Sequence, residues 1–168
     1  MAGNRVEVDA LLRQFDRALE ESASDFSTIR WHSMLGNLSS VRPEDWDVAV
    51  PGGVRTIREL VIHVGGCYLM YQNHGFGDRT MHWKDAENVD GLLPGESMEQ
   101  TIAWFRAAHD RFRSSLDRIT DDQLDEPTQG HWGGNVERRR VVELMIQHTV
   151  YHAGEVNYIR ALLQGNDA

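Results

Sequence analysis

The feature that most constrains this chain is a helical seam near its C-terminal end with polar residues in the middle. Val141, Met145, His148, His152, Glu155, Ile159 and Leu162 follow one another at alternating steps of four and three. That is the a/d spacing of a helix packed along a narrow contact line. Apolar residues flank the run on both sides, so the register carries His, His and Glu into the same seam. Polar groups in a bundle core are costly unless something satisfies them. One helix cannot bury such a seam alone, so the rest of the chain must fold around it.

Three further helical stretches are legible. The first spans about Val6 to Leu38, with Val8, Leu11, Leu12, Phe15 and Leu19 at helical spacing. The weak stretch Ser22-Ala23-Ser24-Asp25 interrupts it, and Phe26, Ile29, Met34 and Leu38 resume the pattern. The second begins at Thr56, where Thr56 and Glu59 form a T-x-x-E capping box. Ile57, Leu60, Val64, Cys67 and Tyr71 then lie on one face. The third begins at Ser97, with Gln100 completing a second capping box, and its face reads Ile102, Phe105, His109, Phe112, Leu116 and Ile119. Asn135 is a suitable cap for the fourth helix, and Gly165 a suitable stop. No convincing run of strand alternation appears. At 168 residues the chain has one domain's length. The pattern predicts an all-α fold, a four-helix bundle over residues 1–168 with a long crossover loop, about Asn73 to Glu96, between helices 2 and 3. Loops of that length in a compact domain are usually functional or mobile.

His148 and His152 are four residues apart, so their Cα atoms lie roughly 6 Å apart on one helix face. Imidazoles so placed can converge on one metal ion. The plainer alternative is two core histidines bonded to polar neighbours. A catalytic-type site wants three protein ligands and an open position. His63 is the candidate third ligand, because it lies mid-helix near Leu60 and Cys67, followed by Gly65-Gly66, which permit close helix approach or ligand access. His109 is its rival, on the seam of the third helix, as a ligand or a pocket wall. Glu155 is the candidate catalytic residue. It is placed either to orient a ligating imidazole or to act as a general base, or else it pairs with an arginine such as Arg160. Cys67 reads as a core thiol rather than a fourth ligand. His32, His74, His82 and His131 read as surface or loop residues, with His82 and His131 able to reach over a site. Trp46, Trp83, Trp132, Tyr71 and Tyr151 are candidate wall residues or bundle-end packing.

Composition narrows the partners. The formal net charge is −9, which repels phosphate backbones and argues against nucleic acid. The single Cys excludes an intrachain disulfide and thiolate-rich metal sites, so any metal falls to imidazole. No apolar run approaches the ~18 residues of a membrane span, and the N-terminus has no signal-peptide pattern. Cytoplasmic residence is the expectation.

The residues that carry a family likeness are Trp46 with the Pro51-Gly52-Gly53 loop, the block Thr56 to Val64, and above all the run Gln147 to Leu163. In these the chain resembles the DinB-like (YfiT-like) superfamily over about residues 10 to 164. The resemblance implies a four-helix bundle with one long crossover. It implies a divalent metal held by one His of the second helix and two of the fourth, which fall on His63, His148 and His152. Relatives include thiol-dependent S-transferases and mycothiol-dependent maleylpyruvate isomerases, and members often form homodimers. The expectation is therefore a metal-dependent enzyme acting on a small molecule, with Zn, Ni or Fe and a low-molecular-weight thiol such as mycothiol or bacillithiol as cofactors. The alternatives are a metal-dependent hydrolase, a non-catalytic metal- or ligand-binding bundle, and an interaction module whose histidines satisfy one another.

Overall fold

The computed structural model describes residues 3–20, 32–87, 89, 91 and 93–166. Four long helices, α1 (Val6–Leu19), α3 (Ile57–Phe76), α4 (Met98–Leu116) and α6 (Arg138–Gln164), form the bundle. Two short ones, α2 (Met34–Leu38) and α5 (Asp121–Leu124), accompany them. Among the described residues the predicted first helix is represented by α1, which ends at Leu19, and by the separate α2. Ser22 to Asp25, Phe26 and Ile29 lie outside the described residues.

The central element is α3, which packs against both α4 and α6. Every residue from Val64 to Tyr71 is buried. A helix apolar all round belongs inside a bundle, whereas α1 buries one stripe, Val8, Leu11, Leu12, Phe15, Ala18 and Leu19. Phe15, Tyr68, Phe105 and Phe112 join α1, α3 and α4 at ring separations of 4.9 to 6.3 Å. Each fully buried Phe or Leu contributes about 1.5–3 kcal/mol relative to exposure. The close approach of α3 and α4 depends on Gly65, where a Cβ would lie 2.3 Å from the Trp104 ring. At Gly66 the nearest such contact is 3.7 Å, to Ala86.

Both predicted capping boxes are present. Thr56 Oγ1 accepts from the Glu59 amide, and Glu59 Oε2 accepts from the Thr56 amide. Ser97 and Gln100 repeat the arrangement. Gly165 ends α6 in the left-handed region, at φ 67°.

Two expectations need correction. Asn135 does not cap α6. Asn135–Glu137 is a short strand, β2, paired antiparallel with β1 (Pro127–Gln129), and Glu137 occupies the N-cap position of α6 without a side-chain cap bond. Strands of three residues are too short to show alternation, and the Gly130-His131-Trp132-Gly133-Gly134 turn between them reads as plain loop. Leu162 is not in the seam but 53% exposed. The buried residues of α6 are Val141, Val142, Met145, Thr149, His152, Ala153, Val156, Ile159 and Arg160. That stripe follows the 3.6-residue period of a straight helix, which drifts off a strict 3.5-residue seam over this length.

Candidate metal centre

The drift of the stripe decides how the three polar seam residues are used. Of them only His152 is fully buried; His148 and Glu155 sit at its margin, half-buried. His63 on α3, also half-buried, meets them across the α3–α6 contact. The ring centroid of His63 lies 5.1 Å from that of His148 and 5.0 Å from that of His152, and the last two are 4.4 Å apart. The rings are steeply inclined, at 62° to 82°. One ligand nitrogen from each falls within 4.8 Å of the others. Among the described residues this is the one group of three or more His, Cys, Asp or Glu donors so arranged.

Glu155 does not stand apart from the group. Its Oε2 lies 2.8 Å from His152 Nδ1. The carboxylate accepts a hydrogen bond from Nδ1–H, which fixes the tautomer and leaves the Nε2 lone pair free for a metal, the usual support for a ligating histidine. Of the three roles foreseen for Glu155, this geometry displays the orienting one. Arg160 is engaged with Asn157, Gln164 and Asn166.

The imidazoles are held neutral. Burial, then the Arg55 charge and His152, lower the pKa of His63 to about 4. Burial, then His152, His63 and Arg55, lower that of His148 to about 4. Burial also lowers that of His152, opposed by its bond to Glu155. Three neutral imidazoles with converging lone pairs, one oriented by a carboxylate, fit a divalent transition ion, and the donor type suits Zn, Ni or Fe.

A cavity of about 340 Å³ opens beside the centre. His63, Cys67, Met145 and His148 line it, and Arg55, Trp83 and His131 border it toward solvent. Cys67 is buried, with Sγ 3.3 Å from His148 Nε2. Burial pushes its thiol up to about 12, so it stays protonated at neutral pH. It lies outside the converging donor group.

The remaining candidates separate. His109 is buried elsewhere, stacked on Phe15 at 4.3 Å and edge-on to Tyr68 at 5.7 Å. It neither joins the donor group nor lines the cavity. His74, read as a surface residue, is buried and bonds the Met81 carbonyl at 3.0 Å. His131 borders the cavity from the β-turn, while His32 and His82 are exposed. Trp83 packs 5.3 Å from His63, and Tyr71 lines the cavity. Trp46 is a core residue, Trp132 folds over Gly130, and the exposed Tyr151 lies 4.9 Å from His152. Arg55 escaped the sequence reading. It sits in an irregular loop with no periodicity to mark it, and its only signal is its position before the Thr56 cap.

Comparison with known proteins follows the same lines. The family model of the DinB superfamily matches residues 28–156. A crystal structure of a conserved protein of locus from Enterococcus faecalis superposes with a TM-score of 0.66 and 16% identity, covering 95% of this chain and 98% of that one. That likeness concerns the fold. No curated protein matches the sequence.

Proposed function

This chain belongs to the DinB superfamily, and from that premise we propose that it is a metal-dependent enzyme whose three histidines hold a divalent transition ion for chemistry on a small molecule. The observation that carries the proposal is the convergence of His63, His148 and His152 within 4.8 Å beside an open cavity. A divalent ion bound there by neutral ligands keeps its full charge and lowers the pKa of a thiol or water. The favoured co-substrate is a low-molecular-weight thiol, and the favoured reaction its transfer to an electrophile.

The residues of the chain have distinct tasks in this scheme. Glu155 holds the Nδ1 proton of His152 and keeps its ring fixed. His63 brings α3 to the two ligands of α6. Cys67 remains protonated and apolar, so it does not compete as nucleophile. Trp83 and Tyr71 present flat walls to a bound molecule.

Cytoplasmic residence and a homodimer are part of the proposal. The lone free Cys67 suits a reducing compartment. No helix among the described residues is long and apolar enough to cross a membrane. The exposed Tyr151, Tyr158 and Leu162 on one side of α6 offer an apolar strip to a second copy.

Two measurements test the reading. Metal analysis of the purified chain is expected to give about one ion per chain. Consumption of mycothiol, bacillithiol or glutathione with model electrophiles is expected to depend on that ion. Far less than one ion, with His148→Ala indistinguishable from wild type, would sink the metal centre. A bound ion without thiol turnover would move the assignment to metal-dependent hydrolysis or to ligand binding alone.

A further inference from the structure

The tasks above leave one cavity residue without a partner. Arg55 ends the loop before α3, immediately ahead of the cap residue Thr56. It lines the main cavity, and with His63 and Trp83 it also lines an adjoining hollow. Among the described residues it makes no hydrogen bond and no ion pair. Its neighbour Arg58 contrasts with it, bonding the Gly95 carbonyl at 2.8 Å and facing Asp47 at 3.9 Å. Glu59 and Glu87 share the adjoining hollow with Arg55 but neither bonds it, and Glu59 is engaged by the Thr56 amide, so the half-buried guanidinium keeps its hydrogen-bonding fork open to a ligand. It shares the main cavity with His63, Cys67 and His148.

We propose that Arg55 is the anion-recognising residue of this cavity, and that the substrate is a small molecule carrying a carboxylate. The guanidinium holds that carboxylate while the reacting end of the molecule faces His63 and His148. The inference rests on the metal-centre reading above and adds the substrate class to it.

The chemistry favours a carboxylate over a phosphate. One planar guanidinium matches one planar carboxylate through two parallel hydrogen bonds. A phosphate gains most from several free amides at a helix start, and here most of those amides are taken. Thr56 N and Glu59 N are used by the capping box, and Arg58 N donates to the Trp46 carbonyl at 3.1 Å. Glu59 and Glu87 line the adjoining hollow and oppose a multiply charged anion there. At about 340 Å³ the cavity is at the small end of ligand sites, which suits a metabolite-sized acid.

The test uses the full chain with its metal. Metal content is measured first in wild type, Arg55→Gln and Arg55→Lys, and succinate, succinamide and inorganic phosphate are then titrated calorimetrically. About one ion per chain is expected in all three, with unchanged thermal midpoints. Succinate binding is expected to weaken about tenfold or more in Arg55→Gln and less in Arg55→Lys, which keeps the charge but not the fork. Succinamide is expected to show no dependence on Arg55. Loaded protein that binds no succinate, or binds it equally in wild type and Arg55→Gln, overturns the inference and leaves the metal centre standing. Phosphate binding more tightly than succinate with the same dependence on Arg55 overturns the carboxylate class. A wild-type chain that holds no metal overturns the metal reading and this inference together.

Discussion

His109 and the His63–His148–His152 group are two answers to one problem, a histidine on the packed side of a helix. His109 is 2% exposed and answers with aromatic packing. Phe15 covers its face, and Asp16 and Asp110 lie 3.8 and 3.5 Å from its ring nitrogens. Burial lowers its pKa while those carboxylates oppose the shift. The other three histidines face one another, with a carboxylate on one ring only and a guanidinium nearby. Helix position does not separate the two cases. What separates them is whether the nitrogens have carboxylate neighbours of their own or converge on a shared space.

The sharpest way to break the comparison is to truncate one histidine of each kind. His148→Ala is expected to remove essentially all bound metal, read by metal analysis, together with any metal-dependent rise in thermal midpoint. Next in size, Glu155→Ala is expected to weaken metal binding about 10- to 100-fold by competition with a chelating dye, since it frees the His152 ring. His109→Ala should behave in the opposite way, with full metal content but a loss of about 2–4 kcal/mol in denaturant unfolding from the cavity it leaves. If His109→Ala lost metal instead, the distinction between the two environments would fail.

The pH response sharpens the same contrast. His63 and His148 have folded pKa values near 4, below the ordinary 6.5. The unfolded chain therefore binds more protons than the folded one between about 4 and 6.5. Stability of the metal-free chain is fully present above about pH 6.5 and is lost as pH falls toward 4. Thermal melts across that window are expected to show this decline. The smallest effect belongs to Cys67→Ser, expected to change metal affinity less than about threefold, because the thiol is not one of the converging donors.

Much of this was legible in the residues. The Thr56/Glu59 and Ser97/Gln100 boxes are local signals that need no tertiary partner, and both stand where they were read. His148 and His152 share one helix, so spacing alone brings them together. His63 required a second helix, and its side-by-side placement with Leu60 and Cys67 was a sufficient clue. The β-hairpin, the burial of His74 and the place of Arg55 beside the cavity were not legible. Each depends on contacts between loops and distant helices, such as the Thr128 hydroxyl donating to the His74 carbonyl at 2.6 Å. Such contacts leave no period in the sequence. The drift of α6 lay between the two outcomes: the helix was evident, but the choice between 3.5 and 3.6 residues per turn moved Leu162 from core to solvent.

Both ends of α6 are tied to the rest of the fold. Near the start, Arg138 bonds the Gly75 carbonyl and Glu126, and Arg139 pairs with Glu7 and Asp125. Near the finish, Gln164 bonds the Ser40 carbonyl and Asp45, and Arg160 is wholly buried. His148 and His152 lie between these anchors. The conformational entropy of placing that pair is therefore spent during folding, before any ion arrives. An ion bound there would have little left to order beyond the His63 side chain, and would meet a scaffold already set, much as a rigid chelator holds metal more tightly than a flexible one.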